Sequence, residues 1–195
     1  MDRRFGFSLI AEVKPASPSG WKSKYSWLEL FELASSSPAD MISIHTDPRW
    51  EGSLELVEYA SQHTPKAILA KGIHAEDEMI SAAIEAGATY ALVVGRIPKV
   101  YLSRCFLEPY SLAQLRTMPP GSKVVWNSRD LMDLSVEKFK PHTFAEARAI
   151  WPGLLIQASN IQTEADIHPE ADGAIVGKSL PEFLSTYRSP MAAGA

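Results

Sequence analysis

One cysteine, Cys105, is all that the sequence holds, so no intrachain disulfide can form and no cysteine metal cluster can assemble. That scarcity fits a reducing compartment. Basic residues are not in excess: 19 Lys and Arg stand against 23 Asp and Glu, a formal net charge of −4. A nucleic-acid binder would show a basic stripe, so that class is disfavoured, while a local cationic site for an anionic small molecule stays open. Long hydrophobic runs are missing as well. The short apolar stretch after Met1–Gly6 is interrupted by Glu12, so neither a signal peptide nor a membrane span is expected, and a cytoplasmic location is. There is no repeat of fixed period and no low-complexity block. The five histidines are scattered without metal-ligand spacing, so they are expected at surface or loop positions, and neither a metal nor a cofactor is implied.

What is present is a chain of 195 residues, 46% hydrophobic, which suits one domain over residues 1–195. Short apolar runs bounded by turn residues read as core strands: Phe7–Val13, Met41–His45, Ala67–Ala70, Tyr90–Val94, Cys105–Pro109, Lys123–Trp126, Leu154–Ala158 and Gly173–Val176. Helical patterns fall between them, at Trp27–Ser35, from an N-cap at Ser53 to about Ser61, at Glu76–Ala86, Ser111–Thr117, Thr143–Trp151 and Pro181–Tyr187. Gly95–Ser103 is too short and irregular for a full helix, and only Thr163–Ile167 can be helical before the eighth strand. Residues from Ser189 onward look like a frayed tail. Eight strands alternating with helices predict an α/β fold, a compact (β/α)8 barrel with clipped helices after strands four and seven, slightly under the usual floor of ~200 residues. Clipped helices would leave apolar barrel surface for another chain to cover; the sequence leaves the oligomeric state open.

Polar residues that terminate these strands carry the functional signal, because in a parallel barrel they share one mouth. Glu12 and Lys14 end the first strand, Lys71 the third, Glu108 the fifth, Asn127 and Arg129 the sixth, and Ser159 with Asn160 the seventh. Lys71 ends the run Ala67–Ala70 and is followed at once by Gly72. An ammonium there can be partly desolvated and serve as an acid. A lysine that merely snorkels from a strand end would look the same. After the eighth strand, Gly177-Lys178-Ser179 opens a helix, a setting that favours an anion, with Ser159 and Asn160 as a facing half. The tripeptide is not a Walker loop, whose first glycine would have to stand at Asp172.

The stretch Ala11-Glu12-Val13-Lys14-Pro15-Ala16-Ser17-Pro18-Ser19-Gly20 resembles the first-strand motif of indole-3-glycerol-phosphate synthase, a (β/α)8 barrel of tryptophan biosynthesis. Thr46–Ser53, Leu69-Ala70-Lys71, Asn127–Leu131 and Ala171–Gly177 extend the likeness in the same order. The resemblance implies a carboxy-lyase that closes an indole ring on a carboxyphenylamino deoxyribulose phosphate, losing carbon dioxide and water without a cofactor. It implies Lys71 as general acid, Glu108 as the fifth-strand carboxylate, and Glu12, Lys14 and Asn127 as polar groups around the reacting centre. Ser17, Trp50 and Arg129 match positions at or near the substrate, and Ser159, Asn160, Gly177 and Lys178 fall on the phosphate loops. The implied partner is a phosphorylated small molecule, with neither nucleic acid nor membrane.

The chain also departs from what it resembles. The first strand begins almost at Met1, so the N-terminal extension whose helix covers the mouth in that family is expected to be lacking. Ala158-Ser159-Asn160 stands where the family has Glu-Ser-Gly, Lys178 replaces an acidic or small residue, and Gly72-Ile73 replaces Asp-Phe. The position of Ala158 is expected to open to the mouth, so that a glutamate there would be accommodated. These departures keep two alternatives in play: a non-catalytic homologue that binds a phosphorylated ligand or a partner protein, and another phosphosugar enzyme on the same barrel, such as an isomerase.

Overall fold

The computed structural model describes residues 6–187. The Met1–Phe5 segment and the tail expected to fray from Ser189 lie outside the described residues. Eight strands are formed: β1 (Ser8–Val13), β2 (Met41–His45), β3 (Ala67–Lys71), β4 (Tyr90–Val94), β5 (Cys105–Glu108), β6 (Lys123–Asn127), β7 (Leu155–Ala158) and β8 (Gly173–Val176). They close into a barrel in sequence order, each pair parallel, with β1 bonded to β8 through Ser8–Gly173 and Ile10–Ile175. This is the (β/α)8 barrel. Strands buried on both faces have no need of polar alternation, which is why each was legible as a short apolar run.

Side chains alternate across the sheet. Leu9, Ala11, Val13, Ile42 and Ile44 face outward and pack with Leu30, Phe31 and Val57 of helices α1 (Trp27–Ser36) and α2 (Leu54–His63). Ile10, Leu69, Leu92, Phe106, Val125, Ile156 and Ile175 face inward and fill the barrel. The remaining helices are α3 (Asp77–Glu85), α4 (Leu112–Leu115), α5 (Phe144–Ile150) and α6 (Leu180–Thr186). Ser26 with Glu29, and Thr143 with Glu146, form capping boxes, and Ser53 and Ser111 cap α2 and α4. Each cap supplies an acceptor to a backbone N–H that the helix itself leaves free.

The connections after β4 and β7 hold only the 3-10 turns Leu102–Arg104 and Glu164–Asp166. α4 is also cut to a single turn, shorter than the Ser111–Thr117 pattern suggests. Pro119 and Pro120 follow, which pushes Met118 out of helical geometry, and the Thr117 and Met118 N–H groups bond three residues back, to Gln114 and Leu115, so the segment tightens before the prolines. Ile97, Tyr101 and Leu102 are exposed beside the clipped β4–β5 connection. No helix among the described residues is long and apolar enough to cross a membrane.

Candidate active site

The site is the inward face of the strands carried two residues beyond the apolar plug. Moving from Ile10, Ser43, Leu69, Leu92, Phe106, Val125, Ile156 and Ile175 to the next residue of the same parity gives Glu12, His45, Lys71, Val94, Glu108, Asn127, Ala158 and Gly177. One residue per strand therefore forms the layer at and just below the mouth, and five of the eight carry polar side chains.

Glu12 is the hub of one side. Its Oε1 accepts from Lys71 Nζ at 2.8 Å and from His45 Nε2 at 2.7 Å. Burial alone would raise its carboxyl, but Lys71, Lys14 and the His45 bond hold it well below the usual carboxylate range. His45 is buried, and burial pushes its imidazole down to about 4 despite the neighbouring carboxylate. It is thus neutral near pH 7, with the proton on Nε2. The ring stacks on Trp50 at 5.4 Å, and Nδ1 has no hydrogen-bond partner. Lys14, just past β1, is drawn from 10.5 to about 8, first by burial and then by the charges of Lys71, Arg129 and Lys178, with Glu12 opposing. Glu12 needs room on its far side, and Gly177 supplies it: a Cβ there would lie 2.1 Å from Glu12 Oε2.

The opposite side is a chain of fixed dipoles. Asn127 Nδ2 donates to Glu108 Oε1 at 2.9 Å, while Asn127 Oδ1 accepts from Ser159 Oγ at 2.7 Å and from the Arg129 backbone N–H at 3.0 Å. Glu108 is buried beneath the mouth and its Oε2 has no partner. Above this chain runs a long loop from Ser128 to Thr143, folded back as an antiparallel bridge between Arg129 and Phe139. Lys140, buried, anchors it by donating to the Pro109 carbonyl at 2.7 Å over the face of Trp126.

A cavity of about 390 Å³ opens above the hub, walled by Glu12, Lys14, Arg129, Ser159, Asn160, Gly177, Lys178 and the loop residue Glu137. A narrow crevice adjoins it and reaches Lys71, His45, Trp50 and Asn127, with Lys14, Arg129 and Ser159 common to both. Asn160 Nδ2 donates to Ser128 Oγ, and Glu137 accepts from Ser19 Oγ at 3.1 Å and pairs with Lys178. Ser17 lies behind this wall, buried, with its Oγ 2.6 Å from Ser19 Oγ.

The structure therefore brings together Glu12, Lys14, Trp50, Lys71, Asn127, Arg129, Ser159, Asn160, Gly177 and Lys178, while Glu108 and Ser17 support the cavity without walling it. Two expectations need correcting. Ala158 does not open to the mouth: it is 1% exposed within the barrel-interior cluster, against which Leu131 of the loop after β6 packs. His45, at the buried end of β2, is neither a surface nor a loop residue, whereas His74 keeps a loop position but is not exposed. His74, after β3, is buried and bonded to the Leu92 carbonyl and Thr46 Oγ1, and His45 belongs to the hub. His45 ends an apolar strand as Lys71 does and pairs with Lys71 in register; that parity was the signal available for it. Lys140 and Glu137 gave none, since nothing local distinguishes one charged residue of a long loop from another. No group of three or more metal-ligating side chains occurs among the described residues.

The sequence profile of the indole-3-glycerol phosphate synthase family matches residues 1–108, more than half of the chain. The chain belongs to that family. No curated protein sequence matches it. The indole-3-glycerol phosphate synthase match runs from β1 through β5 and so carries Glu12, Lys14, Lys71 and Glu108. Asn127, Arg129 and Lys178 lie beyond it and join the indole-3-glycerol phosphate synthase portion through the closed ring of strands.

Proposed function

We propose that the chain is a carboxy-lyase that closes the indole ring of a carboxyphenylamino deoxyribulose phosphate. The observation that carries this reading is the pairing, in one mouth, of a proton donor held on a carboxylate with three cations. Lys71 sits on Glu12, and Lys14, Arg129 and Lys178 wall the adjoining cavity of a protein whose net charge is −4. Such a local field selects a ligand bearing a carboxylate and a phosphate.

In this mechanism the aromatic carbon attacks the ketone carbon as Lys71 delivers a proton to the carbonyl oxygen, giving a hydroxyl. The carboxylate leaves as carbon dioxide, and its electron pair restores the aromatic ring. The hydroxyl then departs as water, which takes one proton to that oxygen and one from the substrate. Glu12, with His45 and Lys14 around it, is placed to relay protons to and from Lys71. Asn127, its amide fixed between Glu108 and Ser159, orients the substrate. A second reading, a binder of phosphorylated ligands without turnover, draws on the sealing of Glu108 below the mouth and the alanine at 158. An assay with that substrate, read by indole fluorescence beside a binding titration of the same compound, separates the two. Binding without indole product would leave only the second.

Two expectations follow for the anion end. Lys178→Ser should weaken inorganic phosphate binding about tenfold, near the lower limit for a hydrogen bond to a charged group. An unchanged titration would put Lys178 outside the subsite. Because Lys14 loses its proton near pH 8, phosphate affinity should fall as pH rises from 7 to 9, by at most about tenfold per unit for one linked proton. Inorganic phosphate gains its second charge near neutrality, which works the other way at the lower end, so the slope is read from about pH 8 to 9, where the ligand is dianionic. Lys14→Met should abolish the slope, and a slope that survives would assign it to another group.

A further inference from the structure

The cationic wall already holds an anion of its own. Glu137, on the Ser128–Thr143 loop, reaches across the cavity, accepts from Ser19 Oγ at 3.1 Å and pairs with Lys178. The pair is half exposed, 36% for the Lys178 side chain and 42% for that of Glu137. Lys178 itself lies over the Trp21 ring, so the ammonium is held in place whether or not Glu137 is there.

We propose that Glu137 is a built-in competitor of the phosphorylated ligand: its carboxylate fills the Lys178 and Ser19 half of the anion subsite and has to be displaced before a phosphate can settle. This rests on the reading of Lys14, Arg129 and Lys178 as that subsite. Three features make the exchange favourable for a phosphate and unfavourable for a weaker anion. The Glu137–Lys178 pair is exposed, and exposed pairs are weak. Glu137 makes no hydrogen bond to Arg129: the guanidinium, on a residue 6% exposed, lines the same cavity, donating from Nη2 to the Leu134 carbonyl at 3.5 Å while its Nε lacks a partner. A dianion with three acceptor oxygens can engage Lys178 and Arg129 together, which one carboxylate already tied to Ser19 does not.

The loop is built to permit this. It is fixed at its base by the Arg129–Phe139 bridge, by the Lys140 N–H donating to the Ser128 carbonyl and by Lys140 Nζ on Pro109. Glu137 lies beyond those anchors, so its side chain can swing away without unmaking them. Burial is not what keeps its carboxyl ionised; Lys178 holds it below the usual range.

The test is a double-mutant cycle read by titration of inorganic phosphate into the parent, Glu137→Gln, Lys178→Ser and the double variant at pH 7. Glu137→Gln should tighten phosphate about three- to fivefold, the upper reach of an exposed pair. In the Lys178→Ser background the same change should do nothing, because there is no ammonium left to compete for. Unchanged or weaker binding by Glu137→Gln in the Lys178 background overturns the proposal, as does tightening that persists without Lys178, which would mark a general charge effect. If Lys178→Ser weakens binding while Glu137→Gln does not strengthen it, the competitor is refuted and the subsite stands. If phosphate binds neither the parent nor Glu137→Gln, both fall.

Discussion

Lys71→Ala should lower turnover of the carboxyphenylamino deoxyribulose phosphate about a hundredfold or more, the lower end of what a positioned general acid supplies. Affinity should change far less. The Lys71 side chain is 11% exposed and its Nζ is fixed 2.8 Å from Glu12 Oε1, so the donor is aimed before any ligand arrives. Substrate phosphate, by contrast, would meet Arg129 and Lys178 in the cavity that adjoins the Lys71 crevice. Lys71→Arg keeps the positive charge, yet a guanidinium does not give up a proton in a protein, so it should not rescue turnover. Single-turnover kinetics beside a ligand titration would separate the chemical step from binding. Parent-like turnover in Lys71→Ala would make Lys71 a bystander.

Glu12→Ala should cost about 3–5 kcal/mol of folding stability, the range seen when one partner of a buried ion pair is removed. Three groups depend on that carboxylate: Lys71 and His45 donate to it, and Lys14 is balanced by it. Its loss leaves two lysine charges facing each other in a nearly dry ring. The variant should regain part of the loss in alkali. Lys14 in the folded chain already titrates below its unfolded value of 10.5, so between about 8 and 10.5 the unfolded state holds the extra proton, and stability rises with pH across that window. Without Glu12 the folded value drops further and the gain becomes larger. Urea unfolding at pH 7 and pH 9.5 would measure both effects. A variant as stable as the parent at pH 7 would show that water screens the hub.

The barrel was legible because its strands are buried on both faces and therefore uninterrupted in sequence. Period-two alternation then places Glu12 and Lys14 on one side of β1, and Asn127 and Arg129 on one side of β6. What local reading missed depends on who meets whom across the mouth. His45 stood in plain view at a strand end, but histidine spacing speaks to metals, not to a bond with a carboxylate on the neighbouring strand. Lys140 looks like an ordinary loop lysine until the Pro109 carbonyl and the Trp126 ring close around it. Ala158 looked open because a strand end in a barrel usually is; Leu131, which packs against its cluster, lies on a loop that begins 30 residues earlier in the chain.

The seam between β1 and β8 gives the site a place in time. Each other strand pairs with its immediate successor, whereas Ser8 finds Gly173 across nearly the whole chain, the contact with the greatest loop-closure cost. Glu12 against Gly177, and Ser19 with Glu137 and Lys178, straddle that seam. During refolding the Lys71–Glu12 pair can assemble from the first three strands, but the anion wall exists only after the ring has shut. Recovery of phosphate binding should then lag behind recovery of helical signal in a stopped-flow experiment, which makes ligand capture a clock for the last event of folding.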